Sequence, residues 1–182
     1  MRKDEARSLG LKRRAALSEA QRAAYDQNLF EQMKRCAGGA SLVGCYVSVR
    51  QEADTRAFLA WCLDTGVPVS VPKTEGRTLA FYRLRSLDDL KPGAYGIPEP
   101  WEGDPVSLDD IDVMFVPLSA FDSEHSRTGY GKGYYDSILR DSMRKIGLAY
   151  PELQVDRIET DPWDIRLYKI LTPMEPQRKK GV

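Results

Sequence analysis

The stretch DVMFVPLSAFDSEHSRTGYGKGYYDSILRDSMRKIGLAY, residues 112–150, decides the fold. DVMFVPL (112–118) is a short apolar run and predicts a buried strand. YYDSILRDSM (134–143) reads as a helix and RKIGLAY (144–150) as a further strand. Strand, loop, helix and strand in that order make the βαβ unit of a sheet with helices on both faces.

The same grammar extends outward in both directions. Residues 2–17 form a polar, strongly basic first helix, and Ser18 followed by Gln21 is a capping-box pattern that opens a second. Tyr25, Leu29, Met33 and Cys36 give that second helix a core face, and Gly38-Gly39 stops it. SLVGCYVSV (41–49) predicts a strand. Asp54 or Thr55 caps a helix with the stripe Phe58, Leu59, Cys62 and Leu63, which ends at Gly66. VPVSVPK (67–73) and TLAFYRL (78–84) predict strands, and SLDDLKPGAYGIPEP (86–100) a turn-rich crossing with no regular element. After residue 150 a loop through DPWD leads to a last strand, RLYKILT (166–172). The expected fold is a single-domain three-layer α/β/α sandwich over residues 1–182, with a mostly parallel, Rossmann-like sheet and residues 173–182 as a frayed tail.

Composition excludes several classes. With 182 residues, 42% of them hydrophobic, the chain suits one compact domain. Lysine plus arginine (27) equals aspartate plus glutamate (27), so net charge predicts neither nucleic acid nor an anionic membrane as partner. Cys36, Cys45 and Cys62 are far apart and lie in apolar stretches, which reads as buried reduced thiols. MRKDEARSLGLKRR lacks the apolar run of a signal peptide, and no stretch is long and apolar enough to span a bilayer. A cytoplasmic protein is the expectation.

Chemistry concentrates in GYGKGYYD (129–136). Gly129, Gly131 and Gly133 free the backbone to aim several N–H groups at one anion, with a helix start behind them. Lys132 is a movable charge for a terminal phosphate, and Arg127 could clamp another oxygen. The spacing fits neither GxxxxGK[ST] nor GxGxxG, and a plain tight turn is the alternative. Asp136 is a candidate for magnesium carried by a triphosphate, or an aspartate that merely complements a helix dipole. His125, the only histidine, reads as an exposed loop residue, and Tyr46, Trp61 and Tyr82 as core or strand aromatics.

Taken in order, KxxxR at Lys3 and Arg7, SVRQEADT (48–55), YGIPEP (95–100), VPLSAFDSEHSRTGYGKGYYD (116–136), IGLAY (146–150) and the acidic loop ending at Asp164 make the chain resemble the 5-formyltetrahydrofolate cyclo-ligase, or methenyltetrahydrofolate synthetase, family. The resemblance runs from Lys3 to about residue 172. It implies a C–N-forming cyclo-ligase in which the formyl oxygen of 5-formyltetrahydrofolate attacks the γ-phosphate of ATP, N10 adds to the activated carbon, and phosphate leaves. The products implied are 5,10-methenyltetrahydrofolate, ADP and phosphate. Carried onto this chain, ATP falls to Lys3, Arg7, Arg127 and the loop Gly129, Tyr130, Gly131, Lys132, Gly133, Tyr134 and Tyr135. The folate falls to Glu52 and Tyr95 with Tyr130, Lys132 and Tyr134, and magnesium to Asp136 and Asp164. Lys132, Arg127 and Tyr134 are the implied catalytic residues, and a monomer acting on two small molecules is the implied unit. Leu118, Ser126, Thr128 and Trp163 depart from the family pattern, where glycine, glycine, leucine and a polar residue are usual. Departures of this kind bear on loop geometry more than on chemistry.

Two other functions fit the same grammar. Sugar-phosphate isomerases and acyl-CoA transferases would use the loop without ATP hydrolysis, but their catalytic carboxylate is not evident. An inactive folate or nucleotide binder would be expected to lose Lys132, Asp136 or Glu52 first, and all three are present.

Overall fold

The computed structural model describes residues 1–173, so the expectation of a frayed tail lies almost wholly outside the described residues. Helices α1 (Lys3–Ala15) and α2 (Glu19–Ala37) lead into strand β1 (Val43–Cys45), helix α3 (Arg56–Thr65) and strands β2 (Val69–Glu75) and β3 (Thr78–Arg83). Strands β4 (Leu90–Pro92), β5 (Pro98–Pro100), β6 (Val113–Val116), β7 (Ala120–Phe121) and β8 (Arg127–Thr128) follow. Helix α4 (Tyr134–Ile138) and strands β9 (Arg144–Leu148) and β10 (Lys169–Leu171) complete the order.

The central sheet runs β10-β9-β6-β1-β2-β3, with every pair parallel except β2–β3. Every residue of β1 and β6 is buried, as strands covered on both faces must be. Apolar side chains drive that burial. Phe58 of α3 meets Phe115 of β6 edge to face at 5.1 Å, both fully buried, a pair worth about 0.5–1.5 kcal/mol beyond the area it removes from water.

Local rules account for the helix ends, with one correction. Ser18 Oγ accepts the Gln21 N–H at 3.1 Å, but the Gln21 side chain turns to the Tyr25 hydroxyl, so only half of the capping box forms. At α3 the N-cap is Thr55, yet it is Asp54 that accepts the Arg56 and Ala57 N–H groups. Gly66 takes the left-handed turn that ends α3 (φ 78°).

Larger differences lie in the second half. The helix expected over 134–143 is a single turn, Tyr134–Ile138. Ser137 Oγ bonds back to the Tyr134 carbonyl, a local bond that competes with helix continuation, and Leu139 leaves the helical region as it and Met143 enter the core. Residues 86–100 are not irregular throughout, since β4 and β5 pair antiparallel within them. Cys45 and Cys62 are buried free thiols as expected, whereas Cys36 is half-buried. No helix among the described residues is long and apolar enough to cross a membrane.

Helix α1 packs by its small residues. Ala6 is fully buried with Ala120, Val155 and Ile158. Gly10 lies so close to the start of β7 that a Cβ there would stand 1.8 Å from the Ser119 carbonyl oxygen. The basic helix is thereby fixed across the loop that carries the glycines.

Candidate active site

From β1 the chain moves outward through β2 and β3 on one side of the sheet, then through β6, β9 and β10 on the other. The switch point therefore lies between β1 and β6, where the loops beyond the carboxyl ends of the strands part and leave a crevice. A cavity of about 670 Å³ occupies it. The loop after β1 supplies Arg50 and Glu52, and the segment after β6 supplies Arg127 to Asp136.

All fourteen site residues expected from the sequence border this one cavity: Lys3, Arg7, Glu52, Tyr95, Arg127, Gly129, Tyr130, Gly131, Lys132, Gly133, Tyr134, Tyr135, Asp136 and Asp164. Arg7 Nε donates to the Gly129 carbonyl at 2.7 Å, and its guanidinium packs where a Cβ on Gly131 would come within 3.3 Å of it. Gly131 and Gly133 are left-handed (φ 85° and 70°), but Gly129 is not, so only two of the three glycines are needed for backbone freedom. The loop is held from behind by Ser119, whose Oγ donates to the Gly129 carbonyl at 3.1 Å and pairs with Thr128 Oγ1 at 2.8 Å. The departure at Thr128 is thus matched by a hydroxyl partner.

Arg127 has a side chain only 6% exposed; it pairs with Asp136 at 3.0 Å while its Nε is buried with no partner among the described residues. Burial pushes its pKa down, against Asp136, Tyr135 and Asp164, which favour the cation. A buried donor left unsatisfied is costly, and a ligand oxygen would satisfy it. Lys132 is exposed, lies 5.8 Å from the Tyr95 ring centroid and has no carboxylate partner among the described residues. Because α4 is one turn long, the helix-dipole contribution expected behind the loop is small, and side-chain cations carry the positive field.

Lys3 bridges Asp161 at 2.6 Å and Asp164 at 2.5 Å. Burial works to lower its pKa, but the hydrogen bonds and charges of the two aspartates outweigh it and leave the ammonium raised. Asp136 uses Oδ1 for both Arg127 and the Ile165 N–H, and Asp164 uses Oδ2 for both Lys3 and the Asp161 N–H. The other oxygen of each carboxylate has no partner among the described residues. No cluster of three or more acidic, cysteine or histidine ligands forms among the described residues. The donor set therefore suits magnesium that arrives with phosphate oxygens, which is how that ion is usually bound.

Glu52 and a set of tyrosines form a second group in the lining. Glu52 Oε1 accepts the Val49 N–H at 2.9 Å, and the Tyr130 hydroxyl also bonds the carboxyl. Burial pushes the Glu52 pKa up, against those two bonds and the charges of Arg14 and Arg50. Arg50 and Tyr95 are both left-handed without being glycine (φ 55° and 57°) and are joined by an Arg50 Nη2 to Tyr95 carbonyl bond at 3.3 Å. The Tyr134 and Tyr95 hydroxyls bond each other.

Sequence reasoning missed several residues that line the cavity. Glu99 is a carboxylate 7% exposed whose Oε1 accepts the Thr74 N–H at 3.0 Å, with Gly93 packed against it. Tyr46, read as a core aromatic, is buried and also reaches the cavity; its hydroxyl donates to the Ala53 carbonyl at 2.8 Å. Trp163 stands 70% exposed on the rim. His125 is half-buried and left-handed rather than fully exposed, and it does not line the cavity.

A crevice lined by cations, carboxylates and aromatic rings at the switch point of a mostly parallel sheet defines an α/β protein of the open-sheet, ligand-binding class. The chain belongs to the 5-formyltetrahydrofolate cyclo-ligase family, whose profile matches residues 1–173. A 5-formyltetrahydrofolate cyclo-ligase of Haemophilus influenzae is 34% identical over 154 residues, 79% of each chain. The mouse protein of the same name is 25% identical over 150 residues, 74% of each chain. The solved structure of an Aquifex aeolicus 5,10-methenyltetrahydrofolate synthetase superposes with a TM-score of 0.84 at 31% identity and covers 98% of this chain and 99% of that one.

Proposed function

We propose that this chain closes 5-formyltetrahydrofolate to 5,10-methenyltetrahydrofolate at the expense of ATP, releasing ADP and phosphate. One observation carries the reading: a single cavity is lined both by the glycine loop with its cations and by Glu52 with a set of aromatic rings, so two different ligands would meet inside it. Family membership supports the same chemistry. Triphosphate oxygens would face Arg7, Arg127, Lys132 and the N–H groups of the loop, with Lys3 at the rim. Asp136 and Asp164 would hold magnesium through their unpartnered oxygens, and the ion would neutralise phosphate charge and orient the γ-phosphoryl group. Glu52 would accept N–H donors of the pterin, and Tyr95, Tyr130 and Tyr134 would form walls beside it.

The chain's own task is positioning and charge neutralisation, the usual demands of phosphoryl transfer. Arg127 and Lys132 would stabilise charge on the γ-phosphoryl oxygens as the formyl oxygen attacks, and Tyr134, bonded to Tyr95, would hold the formyl group in line. N10 then adds to the activated carbon and its proton is lost as the C–O bond to phosphate breaks. One chain's residues complete the cavity, so the reading needs no second subunit, and a cytoplasmic setting, where ATP and reduced folates meet, suits it. The test incubates the protein with 5-formyltetrahydrofolate, with and without magnesium and ATP, and follows the absorption band of the methenyl product. Appearance of the band only in the complete mixture supports the proposal, and its absence from active-folded protein overturns it.

A further inference from the structure

Arg14, in the last turn of α1, sits behind the cavity wall without lining it. The residue is 5% exposed, has no ion pair among the described residues, and its Nε is buried with no partner. Its one directed contact is from Nη2 to the Tyr130 hydroxyl at 3.5 Å. That hydroxyl lies beside the Glu52 carboxyl and interacts with it. A guanidinium can only donate, so Tyr130 accepts from Arg14 and its own O–H is free to point at the carboxylate. The result is a directed chain that starts in α1, passes through the glycine loop and ends beyond β1. Its origin is rigidly placed, because Gly10 abuts Ser119 and Arg13 donates to the Gln154 carbonyl at 2.9 Å.

A buried guanidinium without a carboxylate of its own is costly, and its nearest use here is through the tyrosine. We propose that Arg14 is a positioning residue for the folate end of the site: it holds the Tyr130 hydroxyl, and through it the Glu52 carboxylate, in the orientation that receives the pterin. The inference rests on the placement of folate at Glu52. Tyr130 stands between two glycines and its ring is 46% exposed, so the hydroxyl is the tie that makes the ring a fixed wall. The positive charge of Arg14 also favours the ionised form of Glu52 that the pterin N–H donors need.

Steady-state kinetics on Arg14→Met, Tyr130→Phe, their double variant and Glu52→Gln test the inference. Arg14→Met raises the folate KM by about five- to twentyfold and leaves the ATP KM within about twofold, the scale of one charge-assisted bond lost at one ligand. In the Tyr130→Phe background the same substitution adds less than about twofold, since residues acting in one chain are not additive. Equal losses for folate and ATP, or additive effects in the cycle, overturn the role. A folate KM raised by Glu52→Gln but not by Arg14→Met overturns Arg14 alone, whereas a folate KM untouched by Glu52→Gln removes the folate placement and this role with it. Where Arg14→Met yields too little folded protein, Tyr130→Phe with Arg14 intact decides: a folate-selective rise supports the relay, and an unchanged folate KM overturns it.

Discussion

Lys132 illustrates how a single exposed charge is distinguished from a solvated one. It has no carboxylate partner among the described residues and projects beside the Tyr95 ring at the cavity. Charge on the γ-phosphoryl group redistributes during transfer, so on the proposed function this cation would act more on the transition state than on bound ATP. Lys132→Met keeps the stem and deletes the charge; kcat falls by about 10²- to 10³-fold while ATP affinity, measured by calorimetry, changes little. A change in turnover below about threefold would place Lys132 among ordinary screened surface charges. Glu52 gives a pH dependence at the same scale. Its pKa is raised by burial, with Tyr46, Tyr130 and Tyr135 around it and Arg14 and Arg50 opposing the shift. Protonation as pH falls therefore removes the acceptor at a pH above that of an ordinary glutamate, about 4.3. The folate KM rises through that inflection in the wild type, and Glu52→Gln has a high KM with the inflection gone.

Among the elements, α1 shows most clearly what a sequence conceals. It reads as a polar basic helix with little to bury, yet Ala6 is fully buried and Gly10 marks a contact with Ser119 too close for any Cβ. Nothing in the local pattern announces such an approach, because it depends on a segment more than a hundred residues away. Gly10→Ala must lift the helix off β7, with the overpacking cost of about 1–3 kcal/mol and a melting midpoint lower by roughly 3–10 °C. Because Lys3 and Arg7 ride on the same helix, the ATP KM rises with it, whereas the folate KM rises less; calorimetry and kinetics together check this. Helix α4 makes the complementary point. YYDSILRDSM reads as a longer helix, but Ser137 and the burial of Leu139 and Met143 end it after one turn. The strands of the parallel sheet were legible because burial on both faces demands apolar runs. Pairing of β4 with β5 was not, since Lys91-Pro92-Gly93 reads as a turn whatever it pairs with.

At the scale of the whole molecule the site is a product of topology. The switch between β1 and β6 brings Glu52 and the glycine loop to one cavity, although they lie about eighty residues apart in the chain. The loop itself was legible, because glycine spacing around a lysine is a local signal. Glu99 and Arg14 were not, for a carboxylate in a proline-rich turn and an arginine in a basic helix look like surface residues until the fold buries them. The cavity is also closed across the longest span of the chain: Lys3 of α1 bridges Asp161 and Asp164 of the last loop. Those ion pairs are part-exposed, so they contribute at most about 1 kcal/mol to stability, and their consequence lies in the site. With Oδ2 of Asp164 held by Lys3 and the Asp161 N–H, the carboxylate is oriented with Oδ1 free for a cation that arrives with phosphate. On the proposed function, Asp164→Asn preserves shape but removes the charge that would favour magnesium. The magnesium concentration for half-maximal activity rises by about tenfold or more, the weight of one charge-assisted ligand, while folate binding measured without ATP stays within about twofold of wild type. Lys3→Met separates orientation from ligation: it raises the magnesium requirement less than Asp164→Asn if Lys3 only orients the carboxylate. An unchanged magnesium requirement in Asp164→Asn removes that residue from the metal site and leaves Lys3 and Asp164 as a latch between the two ends of the described chain.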